Sequence, residues 1–231
     1  MSPLALATAA CMLASFLVCG IPFGLLIAKG SREHVDVRTV GSGNIGMTNV
    51  ARSAGAAAAA LTLVCDAGKG MACMLLSRLA LSDFVFGGDW AAAGVETPFG
   101  WALALVYLSC VMGHVFSPYL GFRGGKGISV GFGAALGLHW PLALAILAVF
   151  FVLAIPSRYV SLGSVAAAAA LPVVGALMGF GPWVELPLAV TAVVVIWSHR
   201  TNLRKLARGE ERRFSVHRGS SDKRDEEGES R

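Results

Sequence analysis

Charge is what this sequence has least of. Only 14% of its 231 residues are Asp, Glu, Lys or Arg, whereas about a quarter is usual in soluble domains. Apolar residues make up 55%, and the mean hydropathy is +0.67. Because so few charges cannot cover a water-facing surface, the composition excludes an ordinary soluble domain. We predict an all-α integral membrane protein.

Long apolar runs lie between the few charged segments. About seven of them approach the roughly 17–25 residues that a membrane-spanning helix needs. The predicted spans are 4–28, 54–80, 99–119, 127–139, 141–156, 160–179 and 183–199. The fourth and fifth are short and are divided at His139-Trp140-Pro141, where Pro141 is well placed to begin a helix.

Basic residues in the loops predict the orientation. They follow the odd-numbered spans, whereas the opposite loops carry acidic residues and almost no basic ones. The positive-inside rule then places the N-terminus outside and the C-terminus in the cytoplasm. We expect 1–214 to form one transmembrane domain, and the polar tail 215–231, which is nearly free of apolar residues, to be disordered.

Metal and nucleic-acid signals are also missing. The cysteines show no paired metal-ligand spacing and all fall in predicted spans, so we interpret them as small packing residues; they are Cys11, Cys19, Cys65, Cys73 and Cys110. We expect no cofactor and no metal. The net charge of +5 is distributed over loops beside the membrane without a nucleic-acid motif, which favours anionic lipids and phosphorylated substrates and argues against nucleic acid.

Two glycine-rich, cationic segments, 41–52 and 113–127, are both predicted on the cytoplasmic side. The first contains G-x-G-x-x-G, but no strand pattern precedes it, so it is not a dinucleotide fingerprint. In the second, Lys126 is followed by Gly127 where a P-loop needs Ser or Thr. Neither segment therefore matches a known nucleotide motif.

Both segments are nevertheless suited to binding an anion. Glycines let backbone amides approach a phosphate closely, and a guanidinium binds phosphate in a bidentate way. The first segment adds the polar side chains of Ser42, Asn44, Thr48, Asn49 and Arg52, and in the second Arg123 and Lys126 flank Gly124 and Gly125, with His114 earlier. An alternative stays open, in which the basic residues anchor helix ends and the glycines only turn the chain.

Further polar clusters follow the fifth and seventh spans, and they include Ser161, Ser164, His199 and Asn202. Four polar clusters are thus predicted at one face of the bundle, a pattern typical of a ligand site. Asp66 and Lys69 lie inside the second span. At i and i+3 they share a helix face, so they form either a structural ion pair or a direct substrate contact.

Five segments in this order resemble the bacterial PlsY family of membrane acyltransferases: GSGNIGMTNVAR, CDAGKG, GHVFSPYLGFRGGKG, SRYVSLGS and HRTNLRKLARGEERRF. The resemblance covers roughly 1–214 and departs at Met47, where the family usually has Ala. It implies an enzyme of the bacterial inner membrane with its active site on the cytoplasmic face. Its partners would be acyl phosphate, glycerol 3-phosphate and membrane lipids. The enzyme would make lysophosphatidic acid, the first acylation product of phospholipid synthesis.

The resemblance also implies roles for residues. Ser42, Gly43, Asn44 and Gly46 would cradle the acyl phosphate, with Thr48 and Asn49 nearby. Arg52, Lys126, His199 and Asn202 would hold glycerol 3-phosphate, and Ser161 or Ser164 would line the site. Arg123, Gly124 and Gly125 would contribute to substrate binding, and Glu211 would orient a basic residue. Ser42, His114 and Lys126 are the catalytic candidates, although a structural hydrogen bond between spans also explains His114 and is the favoured interpretation.

We predict direct transfer without a covalent acyl-enzyme, because acyl phosphate is an activated mixed anhydride and no cysteine lies in the predicted cytoplasmic loops. Many glycerolipid acyltransferases use a His with an Asp five positions later as a base, and we expect none of the five histidines to have such an Asp. Two other classes remain open: a transporter of a phosphorylated solute and a lipid-binding assembly protein.

Overall fold

The computed structural model describes residues 2–213, and every regular element in that range is helical. The predicted disordered tail lies outside the described residues. The helices are α1 Pro3–Gly20, α2 Phe23–Gly30, α3 Met47–Ser53, α4 Gly55–Val85, α5 Trp101–Val115, α6 Ile128–Leu138, α7 Trp140–Ser157, α8 Val160–Leu177, α9 Pro182–Ser198 and α10 Arg200–Ala207. A 3₁₀ turn, Pro118–Leu120, follows α5.

Five segments within the described residues are long and apolar enough to cross a membrane. They are Pro3–Gly30, which combines α1 and α2, then α4, Trp101–Leu120, α7 and α8. A sixth is obtained if α9 and α10, which meet at 58°, count as one bent span. The remaining predicted span corresponds to α6, which has only 11 residues. An all-α multi-pass membrane protein is therefore confirmed, whereas the count of seven and the orientation stay predictions.

A proline divides the first predicted span. Sequence hydropathy favours one helix over 4–28, but α1 ends at Gly20 and α2 begins at Phe23. Pro22 has no N–H to continue the helical ladder, and its ring clashes with the preceding turn. The break frees the carbonyl of Ile21, which accepts a hydrogen bond from the Lys69 ammonium at 2.8 Å.

Small residues let α6 lie against α4 in the centre of the bundle. A Cβ at Gly133 would overlap the carbonyl oxygen of Ala67, and one at Gly70 would overlap that of Val130. Such close contacts between backbones stabilise helix packing inside a membrane, where the hydrophobic effect does not drive helices together. They place the start of α6, and the loop before it, beside the middle of α4.

Candidate active site

A cavity of about 650 Å³ opens between α4 and the helices α6 to α9, and the loop before α3 closes its polar end. Its lining includes these predicted site residues and Asp66: Ser42, Asn44, Gly46, Thr48, Asn49, Arg52, Asp66, His114, Lys126, Ser161, Ser164, His199, Asn202 and Glu211. Its other end is apolar and includes Phe132, Leu147, Phe150, Phe151 and Leu171. The fold thus brings most of the predicted site residues around one amphipathic cavity.

Four predicted substrate-binding residues, Gly43, Arg123, Gly124 and Gly125, are not among those that line it. The amides of Gly124 and Gly125 donate to the carbonyls of Val115 and His114, both at 3.0 Å. A Cβ at Gly125 would also overlap the His114 ring. The two glycines therefore shape the turn that holds His114, and their role in substrate binding stays a prediction.

Asn49 organises the loop before α3 from inside. Its Nδ2 donates to the carbonyls of Val37 at 2.8 Å and Asn44 at 2.9 Å, with a longer contact to Val40 at 3.2 Å. Its Oδ1 accepts from the amide of Ser42 at 2.9 Å. Because these hydrogen bonds engage its buried amide, Asn49 acts as a scaffold for the loop. It also lines the cavity, so its contact with substrate stays a prediction.

The backbone of the same loop is also largely engaged. The amide of Gly43 donates to the Val40 carbonyl at 3.0 Å, and that of Gly46 donates to Asn44 Oδ1 at 2.8 Å. Together with Ser42, three amides of the predicted phosphate cradle are therefore used within the protein. The side chains of Ser42, Thr48 and Arg52 line the cavity, so the loop presents side chains to it more than free glycine amides.

A second polar network at the same end joins α8 and α10 to the loop before α6. Lys126 donates to Asn202 Oδ1. Asn202 Nδ2 and Ser161 Oγ both donate to Glu211 Oε1, at 2.8 and 2.7 Å. Burial lowers the pKa of Lys126, partly opposed by the Glu211 carboxylate. The network holds a largely desolvated cation at the cavity wall, where an anion would be bound strongly.

His199 stands between α9 and α10, beside Lys126. Its Nδ1 lies 2.8 Å from the carbonyl oxygen of Val195, which can only accept, so Nδ1 carries a proton. In the neutral ring, Nε2 is then an acceptor and suits a substrate hydroxyl.

A third cluster lies deeper, on α4 and α5. The Lys69 ammonium is 2.7 Å from Asp66 Oδ1, which confirms the predicted ion pair, although the angle is too poor for a hydrogen bond. It also lies 3.2 Å from His114 Nδ1 and donates to the Ile21 carbonyl. Lys69 thus has two hydrogen-bond acceptors and one ion-pair partner. Because an ammonium cannot accept, His114 Nδ1 is the acceptor and Nε2 carries the ring proton.

The contact between Lys69 and His114 was not foreseen from the sequence. The two residues are 45 positions apart, and only helix packing brings them together. The Ile21 carbonyl that completes the cluster does have a sequence signal, namely a proline inside an apolar run. Asp66 and His114 line the cavity. A direct substrate contact of Asp66 therefore stays open.

The chain matches known proteins along most of its length. A family model described as glycerol-3-phosphate acyltransferase matches residues 9–209. A glycerol-3-phosphate acyltransferase of Geobacter sulfurreducens is 40% identical over 87% of this chain and 95% of its own. One from Rubrobacter xylanophilus is 39% identical over 90% and 96%.

Solved structures agree with these relatives. The crystal structure of PlsY (YgiH), an integral membrane glycerol 3-phosphate acyltransferase, in its glycerol 3-phosphate form has a TM-score of 0.78 and 30% identity, over 90% of this chain and 96% of that one. The lysophosphatidic acid form of that protein gives a TM-score of 0.75 at 29% identity. The fold and the cavity thus define a multi-pass membrane acyltransferase. The chain belongs to the glycerol-3-phosphate acyltransferase family, which confirms the resemblance to PlsY.

Proposed function

We propose that this enzyme takes its acyl group from acyl phosphate and passes it directly to glycerol 3-phosphate, giving lysophosphatidic acid and inorganic phosphate. The observation that carries the proposal is the single amphipathic cavity, cationic at one end and apolar at the other. Acyl phosphate has two matching halves, an anionic phosphate and an apolar chain. The acceptor, glycerol 3-phosphate, adds a second phosphate. Both substrates can therefore occupy one site, with the acyl chain between helices.

The acceptor would be bound by the network around Lys126. Lys126 and Arg52 supply positive charge to its phosphate, and His199 Nε2 and Asn202 are placed for its hydroxyl groups. Glu211 holds Asn202 and thereby orients Lys126, which is the role predicted for it. Because Lys126 is largely removed from water, its attraction for a phosphate is less screened than that of a surface lysine.

The donor would lie with its phosphate at the loop before α3 and its chain in the apolar end. The Ser42 and Thr48 hydroxyls donate to the phosphate, while Asn49 keeps the loop in shape. Phe150, Phe151 and Leu171 line the region assigned to the chain. The Ser164 hydroxyl donates to the Val160 carbonyl at 2.8 Å, so its proton is already used within α8. Ser164 therefore serves as a small residue of the cavity wall.

Transfer would proceed in one displacement. The acceptor hydroxyl forms a bond to the acyl carbonyl carbon, the bond from that carbon to the phosphate oxygen breaks, and the hydroxyl proton leaves with the phosphate. The enzyme supplies proximity and stabilises developing charge. None of the described residues that line the cavity is a cysteine, which supports a route without a thioester.

His114 is better suited to donate a hydrogen bond than to act as a general base. With its Nδ1 accepting from Lys69, the neutral ring presents Nε2–H, which can donate to an oxyanion but cannot take a proton. The spacing of a His with an Asp five positions later does not occur at His114 or His199, which are followed there by Tyr119 and Arg204. The expectation that none of the five histidines has such an Asp is wrong at His217, which is followed by Asp222; both lie outside the described residues and the family match.

Location follows from the same reasoning. We place the enzyme in the bacterial inner membrane with the N-terminus outside, because the basic loops cluster at one end of the helices. The cavity's polar end, with Arg52 and Lys126, then faces the cytoplasm, where phosphorylated substrates are made.

The test compares three donors with the purified protein in lipid: palmitoyl phosphate, palmitoyl-coenzyme A and palmitoyl-acyl carrier protein. Labelled glycerol 3-phosphate is the acceptor, and lysophosphatidic acid is measured. We expect product from palmitoyl phosphate and almost none from the thioesters. Product from a thioester alone would overturn the donor assignment. Uptake of glycerol 3-phosphate into proteoliposomes without any product would favour a transporter.

A further inference from the structure

Three of the five cysteines converge in the interior of the bundle, away from the cavity. Cys19 comes from the end of α1, Cys73 from α4 and Cys110 from α5, and all three are buried. Their sulfur atoms all lie within 4.8 Å of one another, and Cys19 Sγ is 3.8 Å from Cys73 Sγ. We refer to these residues as the three-thiol cluster.

This spacing is close to that of a metal site. Thiolate sulfurs bind zinc-like ions at about 2.3 Å, so three of them around one ion in a plane are about 4.0 Å apart. The distance from Cys19 Sγ to Cys73 Sγ is close to that value and none of the three exceeds 4.8 Å, so closing the triangle needs shifts below about an ångström. Because the ligands come from three different helices, an ion there would join α1, α4 and α5.

The chemistry of the cluster selects the kind of ion. Soft thiolate ligands favour Cu⁺ and Zn²⁺ over hard cations. Structural zinc sites are almost always four-coordinate. Among residues 2–213, the three cysteines are the one group of three or more His, Cys, Asp or Glu residues spaced for a metal, and it offers no fourth ligand. A three-sulfur site suits Cu⁺, which accepts three thiol ligands in a plane.

We propose that the three-thiol cluster is a binding site for a thiophilic monovalent ion, Cu⁺. Binding replaces thiol protons by the ion, because the thiolate is the ligand, and releases them. It also ties together the helices that carry the deep polar cluster: Cys73 is one turn after Lys69 on α4, and Cys110 is one turn before His114 on α5. The bound ion therefore stabilises the bundle next to the site.

The chain provides matched controls for this proposal. Cys11 and Cys65 lie on α1 and α4, each eight positions before a member of the cluster, and both are partly exposed. A Cys11→Ser, Cys65→Ser double variant keeps the cluster and removes the other thiols. Single Cys19→Ala, Cys73→Ala and Cys110→Ala variants each break it.

The experiment titrates the purified protein with Cu⁺ against a competing chelator, anaerobically and with reductant. We expect one Cu⁺ per chain in wild type and in the double variant, with three sulfur ligands by X-ray absorption, a raised Tm, and loss of this binding in each single variant. The Tm of each metal-free variant shows that it folds. Copper that follows Cys11 and Cys65, equal binding by wild type and the single variants, or a preference for Zn²⁺ would overturn the proposal.

Discussion

Two lysines face opposite situations in this enzyme. Lys69 is surrounded by Asp66, the Ile21 carbonyl and His114, and it is not part of the cavity lining. Lys126 has Asn202 as its side-chain acceptor and forms part of the cavity wall. Lys69 therefore joins helices inside the bundle, whereas Lys126 is the lysine that we propose binds an anion in the cavity. The difference lies in the partners, not in the residue type.

The largest effect is expected from Lys126→Ala. Loss of a charged donor to a phosphate should lower kcat/KM for glycerol 3-phosphate by at least about 100-fold, the scale of removing one strong electrostatic contact in an active site. Turnover of palmitoyl phosphate by the purified variant measures it. Lys29→Ala, at an exposed lysine outside the cavity lining, is the matched control and should stay close to wild type. Equal losses of kcat/KM in the two variants would contradict the assignment of Lys126 as a phosphate-binding residue.

Lys69→Met should act mainly on stability. Removing one partner of a buried ion pair leaves Asp66 unpaired, which costs about 3–5 kcal/mol. Thermal unfolding in detergent measures this, and the Asp66→Asn, Lys69→Met double variant should recover part of the loss. A Lys69→Met enzyme with an unchanged Tm and activity as low as that of Lys126→Ala would break the contrast between the two lysines.

The titration of Lys126 sharpens the comparison further. Burial lowers its pKa, so its ammonium loses charge at a lower pH than that of an exposed lysine. As pH rises through that pKa, binding of glycerol 3-phosphate should weaken and its KM should rise. Lys126→Arg keeps the charge to much higher pH and should remove this alkaline rise, whatever its effect on kcat. An identical profile in both enzymes would show that another group controls it.

The smallest effect is expected from Arg123→Ala. Arg123 is only three positions from Lys126, but it is exposed and outside the cavity lining. We expect less than about a threefold change in kcat/KM, comparable to the small effect of an exposed charge. A loss approaching that of Lys126→Ala would restore the interpretation in which both basic residues of the loop bind substrate.

The sequence predicts correctly the features that depend on neighbouring residues. Apolar length predicts the membrane helices, and the pairing of Asp66 with Lys69 follows from helical spacing. The grouping of Ser42, Arg52, Lys126 and His199 in one cavity came from their expected position at one face of the bundle. These predictions depend on hydropathy and on residue type, both of which a single sequence displays.

The remainder depends on packing that spacing cannot reveal. Whether Gly124 faces a ligand or donates to Val115 is decided by how the loop folds back on α5. The use of Asn49 as a scaffold depends on the carbonyls that surround it, and the meeting of Cys19, Cys73 and Cys110 depends on three separate helices. Such features need a tertiary structure, because residues distant in sequence create them.

The most direct test of the account is phosphate release from palmitoyl phosphate by the purified enzyme in lipid, with and without glycerol 3-phosphate. Direct transfer in a shared cavity predicts that phosphate appears only when the acceptor is present, in a one-to-one ratio with lysophosphatidic acid. A burst of phosphate without the acceptor, equal to the amount of enzyme and accompanied by an acylated protein mass, would contradict it.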